Sequence, residues 1–276
     1  MKMLLAIGGA VGLFAPSAFA VNPTIVVGNH VLIPLPGQSF TIPVSGGTAV
    51  SGVNFNAEVA NGGTANGGTP GPAITGVNLI SGTIFASNNA GQQNATSTPT
   101  QFFSGLTITN SGTVSASGTL ATMTFDPSNF IGGTFSLKLG GLSNGNFSGD
   151  TDFTVAPDYS PIPATITNGN IIVTFPGDTN LDGIVNATDA VTFGRNYGKL
   201  TGATWVMGDF NGDGKIDITD ANLLKQYYNR SVNINPGVPA IEPAVSSAAA
   251  VPEPATMGIV GMGLAGICLR RRRRAV

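Results

Sequence analysis

The sequence predicts a mainly β protein: an antiparallel β-sandwich of jelly-roll kind over residues 21–175, then a small α module at 176–230 carrying two loop–helix repeats. Three observations predict it. Residues 21–175 alternate apolar and polar side chains in short runs broken by Gly, Asn and Pro, without a helical period. Residues 178–189 and 209–220 carry one oxygen-bearing pattern twice, starting at Asp178 and Asp209, 31 residues apart. Only 9% of the chain is charged, which suits extracellular β-rich modules.

In chain order, residues 1–20 read as a signal peptide. Lys2 gives the positive start, Leu4 to Phe14 the short apolar run, and Ala18-Phe19-Ala20 the small-x-small cleavage pattern. The chain is therefore expected to be secreted. Its one cysteine, Cys268, cannot form a disulfide within the chain, so the exported protein must rely on core burial and metal. With His30 the only histidine, a Cys/His zinc site is excluded. Outside Arg270–Arg274 there is no basic patch, which argues against nucleic acid as a partner.

Within 21–175 the expected strands are Thr24–Val27, Ser39–Val44, Gly52–Val59, Ile74–Phe85, Gly112–Phe125, Gly133–Leu139 and Ile166–Thr174. Seven or more strands over this length suffice for a sandwich with a real core. Residues 60–69 repeat Ala-Asn-Gly-Gly-Thr and are expected to be a mobile loop.

The two loops carry the chemistry. The first places Asp178, Asn180, Asp182, Asn186 and Asp189 at positions 1, 3, 5, 9 and 12; the second places Asp209, Asn211, Asp213, Asp217 and Asp220 there. Gly183 and Gly214 stand at position 6, where the chain must turn sharply, and Ile184 and Lys215 at position 7 offer a backbone carbonyl. Calcium takes six to eight oxygens, and this spacing wraps them around one ion per loop, so two calcium ions are expected. Seven of the fourteen acidic residues lie in these loops, which localises the acidity to a metal. Val185 and Ile216 at position 8 are β-branched, as a short strand pair joining the loops requires. Asn186/Asp189 and Asp217/Asp220 have the spacing of helix N-caps with third-position partners. Ala190, Phe193 and Tyr197, and again Ala221, Leu224 and Tyr228, then give each helix one apolar face, and Gly198 ends the first helix.

With Asp at position 12 and Pro176-Gly177 in place of an entering helix, residues 176–230 resemble a type I dockerin, most closely over Asp209–Arg230. That resemblance implies a calcium-binding module that binds a cohesin-type partner near positions 10, 11, 17 and 18 of each repeat. Here these are Ile218, Thr219, Lys225 and Gln226, with Thr188 and Arg195 from a first set whose Ala187 and Gly194 offer less to hold. The preceding domain resembles a cohesin, in the superfamily that also holds carbohydrate-binding modules. The resemblance rests on Pro36–Phe40, Ile42–Val44, Ser51–Glu58, Gly118–Phe125, Gly133–Leu137 and Thr167–Val173.

Residues 231–250 are rich in Pro, Ala and Ser and read as a linker. After it, Pro252-Glu253-Pro254, the apolar stretch Ala255–Leu269 and the arginine block resemble the PEP-CTERM sorting signal of Gram-negative bacteria. This resemblance implies transient anchoring in the inner membrane, processing by an exosortase, and delivery to the outer surface or extracellular matrix.

Catalysis is not expected. The sandwich carries only Glu58, Asp126, Asp150, Asp152 and Asp158 as carboxylates, mostly in apparent turns; Asp150 and Asp152 could form an accessory cation site. No nucleophile elbow, phosphate loop or dinucleotide fingerprint occurs. Trp205, between the repeats, reads as core rather than as a sugar platform. The leading reading is a non-catalytic assembly protein whose partners are cohesin-type or dockerin-type modules, including a second copy of this chain. The alternatives are a surface protein that binds polysaccharide, despite a shortage of exposed aromatics in a sandwich with no Trp and only Tyr159, or an accessory subunit of a polysaccharide-degrading complex.

Overall fold

Short alternating runs become strands and the segments after the oxygen-rich loops become helices, as the two periodicities require. The computed structural model describes residues 21–95, 100–130, 132–142 and 149–231. The expected signal peptide, sorting signal and all of the linker but Ser231 lie outside the described residues. Among the described residues no helix is long and apolar enough to cross a membrane.

The strands are β1 (Thr24–Val26), β2 (Asn29–Leu32), β3 (Gln38–Ser45), β4 (Gly52–Val59), β5 (Ala73–Asn78), β6 (Gln92–Asn94) and β7 (Phe102–Ile108). They continue with β8 (Gly118–Asp126), β9 (Gly133–Lys138), β10 (Asp152–Val155), β11 (Ser160–Pro163), β12 (Thr165–Thr167) and β13 (Gly169–Val173). One sheet runs β12-β1-β3-β8-β5. The other runs β11-β10-β4-β9-β13-β2, with β7 also paired to β4 and β6 to β7. Between them lies one apolar cluster, in which Ile42, Leu120 and Phe125 of the first sheet meet Phe55, Phe135, Phe153 and Ile171 of the second. Alternation explains it: along β4, Val53, Phe55, Ala57 and Val59 turn inward, while Asn54 and Asn56 line a groove on the other face.

Most pairings are antiparallel, as expected, but two are parallel, β1 with β12 and β2 with β13. The first strand of the chain is divided between the sheets: it leaves one at Val27–Gly28, where Gly28 has φ +74°, and enters the other at Asn29. The last strand divides opposite it, at Asn168. The Asn170 N–H donates to the Gly28 carbonyl at 3.1 Å, and a Cβ on Gly169 would overlap that oxygen. Gly169→Ala is therefore expected to lower sandwich stability by about 2–3 kcal/mol, through forced separation of two backbones. A thermal midpoint equal to that of the parent chain would refute this reading.

Other expectations need adjustment. The stretch Ile74–Phe85 is a strand only to Asn78, because Asn78 caps a turn with hydrogen bonds from the Ile80 and Ser81 amides. The stretch Gly112–Phe125 begins as a strand only at Gly118. Strands β2, β6, β7, β10 and β11 lay outside the expected set. Residues 60–69 form two tight 3-10 turns, Ala60–Gly62 and Thr64–Asn66, with Ala60 buried in the core. Pro43 sits at a register shift of β3, where its missing N–H is tolerated.

Candidate metal centre

Two helices follow the loops, α1 (Ala187–Asn196) and α2 (Ile218–Tyr227). Each begins with a full capping box: Asn186 accepts from the Thr188 amide at 2.7 Å and Asp217 from the Thr219 amide at 2.8 Å. Positions 9 and 12 of the loops are thus also the caps of the helices, so loop and helix form together. Gly183 and Gly214 have φ +82° and +79°, which explains glycine at position 6. At position 4 the second loop has Gly212 with φ +76°, whereas the first holds Leu181 at φ +60°.

The loops share one set of main-chain hydrogen bonds. The position-1 carboxylate accepts from the amides of positions 5 and 6, at 3.2 and 3.0 Å for Asp178 and 3.2 and 2.9 Å for Asp209. The position-3 amide oxygen accepts from position 5, for Asn180 at 3.1 Å and Asn211 at 3.0 Å. The position-5 carboxylate accepts from position 7, at 2.8 Å in both Asp182 and Asp213. The position-12 carboxylate closes the ring: Asp189 accepts from the Thr179, Asn180 and Asn186 amides, and Asp220 from those of Phe210, Asn211 and Asp217. Repetition of these main-chain bonds after 31 residues shows a duplicated cradle, not two chance turns; the second loop adds a bond from the Gly212 amide to Asp209, and the first one from the Thr179 hydroxyl to Asp189.

The electrostatics call for a cation. Asp178, Asp189, Asp209 and Asp220 are buried. Among the described residues the one ion pair is Lys138 with Glu58, in the sandwich. Buried anions without a cationic partner are costly. Burial pushes the Asp178 carboxyl above the usual range, against the hydrogen bonds of Thr174 and Gly183, and the charges of Asp189 and Asp182 push the same way. Among the described residues no three Asp, Glu, His or Cys side chains converge on one point. Amide oxygens stand beside the carboxylates in both loops, from Asn180 and Asn186 in the first and Asn211 in the second, with the backbone carbonyls of Ile184 and Lys215 at position 7. Such a mixed, all-oxygen donor set suits calcium.

The expected strand pair between Val185 and Ile216 does not form. Ile216 pairs with Gly198 and Lys199, which follow α1, and Val185 pairs with Asn229 and Arg230, which follow α2. Each loop is thus tied to the end of the other repeat's helix. Gly198 (φ +89°) and Asn229 (φ +64°) are the equivalent left-handed residues that turn the chain into these pairings. Phe193, Phe210 and Ile216 form the module's buried apolar cluster, with Trp205 and Leu224 against it. Tyr197 and Tyr228, expected on the apolar faces, lie exposed at the helix ends. Tyr227 packs instead, stacked on Phe175 with ring centroids 5.2 Å apart.

Two residues outside the loops reach the first of them. The Thr174 hydroxyl donates to Asp178 Oδ2 at 2.7 Å, and the Trp205 indole N–H donates to the Asp178 carbonyl at 2.6 Å. Trp205 is half-buried and packs against the module's apolar cluster, edge-on to Phe210. No sequence pattern singled out Thr174. Of the two sandwich carboxylates weighed as an accessory cation site, Asp150 accepts from the Gly141 and Leu142 amides, and Asp152 from the Asn54 side chain.

Ile218, Thr219, Lys225 and Gln226 are exposed on α2, and Thr188 and Arg195 on α1. A second open surface lies on the outer side of β4, β6 and β7, unmarked by any motif. Asn54, Asn56, Gln93, Asn94 and Ser104 line a groove of about 310 Å³. It adjoins an apolar hollow of about 230 Å³ beside Ile108 and Tyr159, with Asn54 and Leu106 common to both.

Comparison with known proteins bears on each part of the chain. Residues 176–229 and 207–242 match the family model of the dockerin type I domain, and residues 250–273 match the PEP-CTERM protein-sorting motif. No curated protein matches. The solved structures similar to this chain include the sixth cohesin of scaffoldin B from Acetivibrio cellulolyticus in complex with a dockerin. It is 15% identical with a TM-score of 0.39, over 55% of this chain and 99% of that one. They also include a non-cellulosomal cohesin from Archaeoglobus fulgidus, 13% identical with a TM-score of 0.38 over 56% and 92% of the two chains. A third is the seventh ScaB type I cohesin from Pseudobacteroides cellulosolvens, 17% identical with a TM-score of 0.40 over 55% and 92%.

Proposed function

We propose that this is a non-catalytic assembly protein, exported and sorted to the cell exterior, whose dockerin-like module folds around two calcium ions and docks onto a partner protein module. The observation that carries this reading is the duplicated cradle, in which the main-chain hydrogen bonds to positions 1, 3, 5 and 12 recur after 31 residues around buried carboxylates that, among the described residues, form no ion pair. Asp178, Asn180, Asp182, Asn186 and Asp189 with the Ile184 carbonyl would hold one ion. Asp209, Asn211, Asp213, Asp217 and Asp220 with the Lys215 carbonyl would hold the other. The ion supplies countercharge and a cross-link between loop and helix.

Metal so placed fixes the helix starts, and with them the exposed face of Ile218, Thr219, Lys225 and Gln226. The partner is a cohesin-type module, another dockerin-type protein or a second copy of this chain. Head-to-tail contact between copies would build open arrays rather than closed rings. Export and sorting are supported by the match at residues 250–273 and by the leader-like residues 1–20. Exosortase processing of the C-terminus belongs to the same reading.

The test is a binding assay with the exported chain against purified cohesin-type modules and against itself, with calcium and with chelator. Calcium-dependent binding is expected, weakened about tenfold or more by Ile218→Asp with Thr219→Asp. Absence of binding in calcium to every protein probe would remove the assembly reading. The uncharged, amide-lined groove over β4, β6 and β7 favours a second reading, in which the sandwich binds polysaccharide through amide–hydroxyl hydrogen bonds. Retention on a glycan panel, unaffected by chelator, would support it.

A further inference from the structure

We propose that Thr174 is a positioning residue for the first calcium loop, and that through it the sandwich sets that loop's affinity for calcium. The proposal rests on the calcium reading above and goes beyond it by making the two loops unequal.

Thr174 directly follows β13, the closing strand of the sandwich, and is buried. Its backbone N–H donates to the Leu32 carbonyl of β2 at 3.1 Å, so its position is fixed by the sheet. Its hydroxyl donates to Asp178 Oδ2 at 2.7 Å. The second contact comes from Trp205, whose indole N–H holds the Asp178 carbonyl at 2.6 Å. Thr174 stands four residues before Asp178 and Trp205 four before Asp209, so they occupy the same place in the two repeats. Yet both serve the first loop. Among the described residues the Asp209 carboxylate accepts only from its own loop, from the amides of Gly212, Asp213 and Gly214.

The consequence is physical. A loop carboxylate clamped from outside has lost its rotameric freedom before an ion arrives, so less ordering opposes binding. The first loop has that help and the second does not. Coupling is reciprocal, so an ion in the first loop must also stiffen the joint between β13 and the module.

The test is calorimetric calcium titration of the full exported chain. In the parent two sites are expected. Thr174→Val, which keeps the β-branched shape and removes the hydroxyl, is expected to weaken one site about tenfold and leave the other unchanged. Thr174→Ser should restore it. In an Asp213→Ala background, which disables the second loop, the tenfold loss should persist. Trp205→Phe removes the other outside donor and should weaken the same site, which decides the matter should Thr174→Val fail to fold in saturating calcium. Equal weakening of both sites, no change in either, or a loss confined to the second loop would overturn the proposal while leaving the calcium reading intact. A parent chain that takes up no calcium would overturn both.

Discussion

Chelation of calcium is expected to melt the two-helix module while the sandwich remains folded. Circular dichroism should show the helical signal lost and the β signal retained, reversibly on adding calcium. The reason is the inequality of the two cores. The sandwich holds one cluster of 25 buried apolar residues, whereas the module's cluster has three, Phe193, Phe210 and Ile216. So small a core cannot stabilise two ten-residue helices unaided. Four buried carboxylates add a cost that metal removes. At a hundredfold excess over Kd each ion contributes about 2.7 kcal/mol, or about 5 kcal/mol for two. Helices that survive chelation unchanged would show that the module does not depend on metal.

The second large effect is expected from Phe210→Ala. Phe210 is buried between the rings of Phe193, with centroids 6.1 Å apart, and Trp205, at 5.4 Å. Truncating a buried Phe costs about 3–5 kcal/mol, comparable to what both ions supply. Each tenfold rise in calcium is worth about 2.7 kcal/mol across two ions. The calcium midpoint for helix formation should therefore rise by about tenfold to seventyfold. An equal midpoint would mean that the module's stability lies elsewhere, most simply in its packing against Phe175.

Much of the site was legible in the sequence because its signals are local. The twelve-residue spacing fixes which oxygens share a loop, glycine at position 6 marks the turn, and Asn186/Asp189 with Asp217/Asp220 announce the helix starts. In the structure Asn186 and Asp217 cap α1 and α2, and Asp178 and Asp209 accept from the amides of Gly183 and Gly214. What escaped was non-local. Val185 and Ile216 look alike and invite pairing with each other, but register across two repeats ties each to the end of the other's helix. Thr174 looks like any strand residue until β13 is seen to run straight into the loop.

The sandwich shows the same division. Alternation identified β3, β4, β8, β9 and β13 because their inward faces are long and apolar. Strand β6, Gln92–Asn94, carries no apolar side chain, and two of the four residues of β11, Ser160–Pro163, are prolines; neither has the alternation of a strand, and each pairs along a neighbour's edge. The division of the first strand between two sheets turns on one glycine, Gly28, and alternation does not register it. The amide-lined groove has no sequence signature either, since Asn54 and Asn56 occupy ordinary outward positions of β4.

The measurement that tests the central claim most directly is the number of calcium ions the exported chain takes up, by calorimetric titration with Trp205 fluorescence followed in parallel. Trp205 is the only tryptophan, and its N–H lies on the first loop while its ring lies on the second loop's Phe210. Two ions per chain, with a change in Trp205 emission as they bind, is the expected result. Uptake of no calcium, with Trp205 emission unchanged, would contradict a metal-built docking module.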